Sequence, residues 1–174
     1  KKILSYFNEL SLFEKGLWIV SVIAVLLSSA ATGFGDPLST IASLIAVTAL
    51  IFVAKGYVIG QVLTIVFAFF YGFISFFFCY YGEMITYLGM SAPMAAFAAI
   101  EWLKNPYKDT KEVKIKKLTP LSAVLLFVSC ALVTFAFYFI LKAFGTASLV
   151  VSTFSVTTSY TAVYLTARRS PLYA

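Results

Sequence analysis

The sequence predicts an all-α membrane protein, six transmembrane helices of an expected seven, in a three-plus-one-plus-three parallel-repeat bundle. Composition, run length and charge placement carry that reading. Of 174 residues, 61% are hydrophobic and only 11% charged, with a mean hydropathy of +0.96. A water-soluble domain holds about 45–50% apolar and about 25% charged residues, because its surface must be wetted. The missing charge makes lipid the solvent. The apolar runs are continuous rather than alternating with period two, as a membrane β-barrel requires, and lipid accepts little besides barrels and helices. At about 20 apolar residues per span, the length fits roughly six helices and leaves no room for a separate soluble domain.

In chain order, the runs fall at Leu17–Ser29, Thr40–Ala54, Val58–Tyr80, Met84–Leu103, Leu121–Leu141 and Leu149–Thr166. The first two are short for spans and are expected to extend through Leu10–Lys15 and Pro37–Ser39. Ahead of them, Ile3, Leu4, Phe7, Leu10, Leu12 and Phe13 recur at helical spacing between Lys and Glu, which predicts an interfacial amphipathic helix. That stretch is not a secretory signal, because Glu9 and Glu14 interrupt it and no small-residue cleavage site follows. In the fourth run, Gly89-Met90-Ser91-Ala92-Pro93-Met94 predicts a kink. The resulting organisation is an interfacial segment over 1–15, a first three-helix repeat over 16–82, a linker helix over 83–104, a basic cytoplasmic loop over 105–120 and a truncated second repeat over 121–174.

Charge placement orients the bundle. Lys1, Lys2, Lys15, Lys55, Lys104, Lys108, Lys111, Lys114, Lys116, Lys117, Arg168 and Arg169 fall on one side if the helices alternate, leaving only Lys142 near the other. Asp36 and Glu83 lie in the opposite connections. By the positive-inside rule, the protein is expected to be a multi-pass membrane protein with both ends of this chain cytoplasmic. The net charge of +6 is therefore a membrane signature and not one of nucleic-acid binding.

Several chemistries are excluded at the level of residue type. There is no histidine, so Ser-His-Asp and Cys-His pairs and histidine-ligated zinc are ruled out. Cys79 and Cys130 lie inside apolar runs and read as small buried hydrophobes. Paired carboxylates and an activated nucleophile are missing from the spans, so no enzyme, no cofactor and no metal site is expected.

A shift of 113 positions lays Ser39-Thr40 on Ser152-Thr153, Thr48-Ala49 on Thr161-Ala162, and Ala54-Lys55 on Ala167-Arg168. The second helix thus resembles the sixth, the first maps onto the fifth, and the fourth is left as a linker. Parallel repeats of this kind recur in membrane transporters. The same shift carries Val58, the start of the third helix, onto Pro171. The chain is accordingly expected to be a fragment, without an initiator methionine and without a seventh helix.

Two helices carry polar stripes. On the third, Gln61, Thr64, Ala68, Tyr71, Gly72 and Ser75 share one face, where either substrate lining or helix packing is open. The sixth places nine hydroxyls between Ser152 and Tyr164, among them Thr153, Thr157, Thr158 and Tyr160. Such a set suits a neutral, hydroxyl-bearing aromatic solute that is stacked and hydrogen-bonded at once. Glu83, at the start of the fourth helix, reads equally as a structural cap.

Ala54-Lys55-Gly56, Tyr71-Gly72-Phe73-Ile74-Ser75, Tyr80-Tyr81-Gly82-Glu83-Met84 and Trp102-Leu103-Lys104-Asn105 resemble the PnuC family of bacterial nicotinamide riboside transporters. The likeness covers Ser39–Pro106 and, more loosely, Leu149–Pro171. It implies a seven-helix fold, a homotrimer, a place in the bacterial inner (plasma) membrane, and facilitated diffusion of a pyridine riboside, made one-way by intracellular phosphorylation and feeding NAD biosynthesis. It also implies that Gln61, Thr64, Tyr71 and Ser75, with Thr153, Thr157, Thr158 and Tyr160, bind substrate, together with a Trp and an Asn of the seventh helix. Where many relatives carry Asn four residues before the third-helix Tyr, this chain has Phe67. Riboflavin or thiamine transport on the same fold, or a non-transporting membrane scaffold, are the alternatives.

Overall fold

The computed structural model describes residues 6–33, 35–108, 110–145 and 148–171. The fold is all-α: α1 Leu12–Ala31, α2 Pro37–Ala54, α3 Val58–Phe77, α4 Tyr81–Leu103, α5 Pro120–Ala143 and α6 Leu149–Ala167. Among the described residues no strand forms, and two isolated bridges, Tyr57 to Glu112 and Pro106 to Val113, lie at one end of the bundle.

Local chemistry sets the helix starts. Ser11 and Glu14 form a reciprocal capping box, so α1 begins at Leu12, earlier than its apolar run. Asp36 accepts from the Ser39 backbone and hydroxyl, and Pro37 follows at the first helical position, where its missing N–H removes nothing. Thr119 caps α5 in the same way ahead of Pro120.

Five of the six helices are long and apolar enough to cross a membrane. α6 matches them in length, and its hydroxyls keep it below that apolarity. Five of its threonines return their hydrogen to the carbonyl four residues back, or to one three back, which lowers the polarity α6 presents to its neighbours.

The helices form a continuous chain of neighbours. α1 packs on α2, α2 on α3, α3 on α4, α4 on α6, and α6 on α5. Gly60 allows α3 to approach α2, since a Cβ there would lie 2.5 Å from the Val53 backbone nitrogen.

Three expectations need correction or refinement. α3 ends at Phe77 rather than Tyr80, and Cys79 is exposed with φ +59, so an apolar run did not imply burial once the chain turned out of the helix. Cys130 is half-buried beside α6. The irregularity foreseen around Pro93 takes the form of a π turn, Tyr87–Ser91, in which Ala92 N–H reaches back to Tyr87 carbonyl. Proline cannot donate to the regular ladder, and the wider turn lets the helix resume at Ala92 with Pro93 in its first turn.

Of the interfacial segment, Ile3 and Leu4 lie outside the described residues. Its described part divides: Leu12 and Phe13 are exposed, whereas Leu10 is buried, and Tyr6 and Phe7 meet Phe52, Tyr57 and Trp18 edge to face at 5.1–6.2 Å. Glu9 ties this layer to the loop by an ion pair to Lys111 at 2.6 Å, and it accepts from the Tyr57 hydroxyl at 3.1 Å. Lys55 pairs with Glu14 at 3.1 Å. The loop itself runs across the basic end of the bundle, where Val113 N–H donates to Gly56 carbonyl and Lys116 N–H to Arg169 carbonyl.

Candidate functional site

α3 contributes two kinds of residue to the middle of the bundle. Gln61, Ala68, Gly72 and Ser75 are buried along one face, and a Cβ on Gly72 would strike the Leu88 side chain at 2.6 Å, so this stripe is where α3 meets α4. Tyr71 stands beside the stripe, within an aromatic group. Its ring lies 4.5 Å from that of Tyr87 and 5.6 Å from Phe67, and Phe67 meets Tyr87 edge to face. The Tyr71 hydroxyl donates to Glu83 at 3.1 Å. Three aromatic faces and a carboxylate therefore gather between α3 and the first half of α4.

The other polar stripe is divided. Thr157 donates to the Thr153 carbonyl, which leaves its oxygen to accept from Thr134 of α5 at 2.8 Å. Thr153 donates to Leu149 carbonyl, and Thr64 on α3 to Gly60 carbonyl, so each is satisfied locally. Tyr160 is buried in a core cluster with Met90, Phe137, Leu141, Val156 and Tyr164. Thr158 is exposed, away from both α4 and α5.

The π turn of α4 joins the two groups. Tyr87, at its start, faces Tyr71 and Phe67 of α3, while Met90, three residues on, sits in the cluster around Tyr160 of α6. π turns are frequent at functional sites because they aim neighbouring side chains off the regular helical spiral.

Gln61 differs from every other predicted residue. It is 2% exposed, and its Nε2 is the single buried side-chain nitrogen or oxygen without a hydrogen-bond partner among the described residues. A free amide at that depth costs on the order of 1–3 kcal/mol. Ten residues of α-helix, about 15 Å, separate it from Tyr71. Among the described residues no three of His, Cys, Asp and Glu converge to hold a metal. None of the predicted residues lines the open groove of about 430 Å³ between α1 and α2, where Asp36 is already committed to Ser39.

A model of the nicotinamide mononucleotide transporter family matches residues 36–172, a stretch that includes both polar stripes and the π turn between them. The chain belongs to that family. No curated protein matches. Among solved structures, this nicotinamide mononucleotide transporter family member is similar to one described as the crystal structure of the vitamin B3 transporter PnuC. The TM-score is 0.77 at 22% identity, over 95% of this chain and 72% of that one. That likeness establishes the fold as a multi-pass membrane helical bundle.

Sequence reasoning about this family member overlooked Tyr87 and Met90, and it left Glu83 as a cap. Their signal is the Gly89–Pro93 irregularity, which marks where α4 departs from helical spacing. How far that departure re-aims Tyr87 is not encoded in the spacing of the apolar run. Phe67, noted only as a departure from related sequences, turns out to complete the aromatic group.

Proposed function

We propose that the protein carries nicotinamide riboside across the membrane by facilitated diffusion, and that it acts as a transporter rather than an enzyme. The observation that carries this reading is the aromatic group of Phe67, Tyr71 and Tyr87 beside Glu83, in a chain of the nicotinamide mononucleotide transporter family. The nicotinamide ring of the riboside is a flat cation, not the neutral solute that the α6 hydroxyls alone suggested. Aromatic faces attract such a cation through their quadrupoles, by roughly 1–2 kcal/mol when it is desolvated, and a nearby carboxylate adds to the attraction. Gln61 supplies a free amide donor on the same helix for the carboxamide or ribose end, and Thr64, Ser75, Thr153, Thr157 and Tyr160 complete the proposed set, from which the exposed Thr158 drops out. The π turn, which touches both stripes, is the joint about which α3 and α6 shift relative to each other.

Facilitated diffusion is supported by the scarcity of charge in the spans, which offer no series of carboxylates for a proton relay. The repeat reading rests on the sequence identities 113 positions apart; the ends of α2 and α6 share one hydrogen-bond pattern, which α3 also shows. In this reading the basic end faces the cytoplasm of a bacterial cell, and the bundle assembles as a homotrimer.

The test is uptake of radiolabelled nicotinamide riboside into proteoliposomes holding the full chain, without an ion gradient. Thiamine and riboflavin serve as competitors. Saturable uptake lost in Tyr71→Ala supports the reading. Preferential uptake of either competitor reassigns the substrate, and no uptake of any of the three returns the bundle to a scaffold role.

A further inference from the structure

We propose that the cavity at the basic end of the bundle, between the ends of α4 and α6 and the start of α5, binds a phosphate ester. The cavity is about 100 Å³, and Lys116, Lys117, Arg168 and Arg169 line it with Ser122 and a single carboxylate, Glu101. A water needs at least about 10–15 Å³ of such space, so the cavity holds a group of several heavy atoms but not a whole nucleoside. Four cations against one carboxylate make anions its preferred occupants.

The walls are held independently of any ligand. Lys116 N–H donates to Arg169 carbonyl at 3.0 Å, and Arg169 Nη1 donates to Lys114 carbonyl at 3.3 Å, which fixes loop and helix end together. The Arg168 guanidinium lies 5.5 Å over the Tyr164 ring. Ser122 stands in the first turn of the 24-residue α5, whose positive dipole end favours an anion. The Thr119 hydroxyl can donate to Ser122 Oγ, leaving the serine proton for a ligand oxygen. The residues that line this one small space carry guanidinium and ammonium groups, the donors that the several acceptor oxygens of a phosphate call for. Glu101 opposes the phosphate charge but can accept from a hydroxyl on the same ligand. The occupant is thus a hydroxylated phosphate ester, a chemistry shared by the headgroup of an anionic glycerophospholipid and by a free sugar phosphate.

The two sources separate in one experiment. Ribose 5-phosphate is titrated calorimetrically into the protein in phosphatidylcholine nanodiscs. In parallel, phosphatidylglycerol binding to the detergent-solubilised protein is counted by native mass spectrometry. Saturable binding is expected in at least one arm, and the arm names the source. Lys117→Gln with Arg168→Gln should weaken it roughly fivefold for each cation removed. Lys15→Gln with Lys108→Gln removes the same charge at the same end, outside the cavity, and should leave affinity within twofold. Glu101→Gln should tighten binding, a gain that misfolding cannot imitate. Absence of saturable binding in both arms, or an equal loss in the Lys15 and Lys108 variant, would overturn the proposal.

Discussion

Gly56 and Arg169, 113 positions apart, hold the same left-handed backbone conformation, φ +79° and +57°, at the ends of α2 and α6. Around each, the following residue reaches back to the carbonyl five before it, Tyr57 to Phe52 and Ser170 to Leu165. Both left-handed carbonyls then accept from one strap, Gly56 from Val113 and Arg169 from Lys116. A cap of this type satisfies carbonyls that a helix end leaves orphaned. Glycine enters the conformation freely, whereas a side-chain-bearing residue is strained by roughly 1–2 kcal/mol. Gly56→Ala should therefore lower stability by about 1 kcal/mol through the backbone alone, because its Cβ would sit 3.5 Å from Val113 Cγ1, an ordinary contact. Thermal unfolding in detergent reads this, and an unchanged midpoint would refute it.

Gly60 and Gly72 make opposite demands on their neighbours. A Cβ on Gly60 would meet backbone of α2 at 2.5 Å, while one on Gly72 would meet the Leu88 side chain, which can rotate. Overpacking costs typically about 1–3 kcal/mol. Gly60→Ala is expected at or above the top of that range and Gly72→Ala near its bottom. The comparison is made by denaturation of both variants in the same micelles, and a reversed order would contradict the helix contacts described here.

Gln61 separates function from stability. Replacing its unpartnered amide in Gln61→Leu removes a buried polar group and should raise the unfolding midpoint, by the equivalent of about 1–2 kcal/mol, while riboside uptake falls at least tenfold. A variant that is less stable and still transports would show that the amide serves packing.

Tyr71→Phe keeps the ring among Phe67 and Tyr87 and deletes only the bond to Glu83. Hydrogen bonds to charged groups contribute about 1.5–3 kcal/mol, so Tyr71→Phe should lower the unfolding midpoint by the equivalent of at most that amount, while riboside binding, which rests on the retained ring, persists. Calorimetric titration distinguishes this from Tyr71→Ala, which should abolish binding altogether.

The clasp of Glu9, Lys111 and Tyr57 has its own pH window. The Lys111 hydrogen bond holds the Glu9 carboxyl below the usual range against a desolvation that opposes it. Burial, then the bond to Glu9, pushes the Tyr57 phenol up to about 12. A depressed carboxyl contributes fully above its unfolded pKa and is lost as pH falls through the folded one. A raised phenol contributes fully below about 10 and is lost as pH climbs toward 12. Protease sensitivity of the N-terminal segment should stay flat from about pH 5 to 9, rise outside that window, and in Glu9→Gln lose part of its acid limb, since the Glu14–Lys55 pair also needs a charged carboxylate. A change centred near pH 7 would point to other groups.

Much of the fold was legible in residue order. Continuous apolar runs located all six helices within a few residues, and Ser11, Asp36 and Thr119 explain why three of them begin earlier than their apolar stretches. The stripe from Gln61 to Ser75 was legible as one face because helical spacing fixes which residues share a side. What faces that stripe was not legible, since it depends on the close approach at Gly72 and on the register of α4 after its π turn. The threonines of α6 show the same limit: Thr153, Thr157 and Thr158 are alike in sequence, yet the Thr157 hydroxyl bonds to another helix while those of Thr153 and Thr158 bond within α6.

The sequence by itself determined the solvent, the helices among the described residues, and the end of the bundle at which the cations gather. Those properties follow from transfer free energies and helix length, which each segment carries alone. Only the tertiary structure decided that Phe67, Tyr71 and Tyr87 gather beside Glu83, that Gln61 is left without a partner, and that four cations share one cavity with Glu101. Those are relations between segments, set by close approaches at Gly60 and Gly72 and by one irregular turn, where a shift of a single residue would re-aim every side chain.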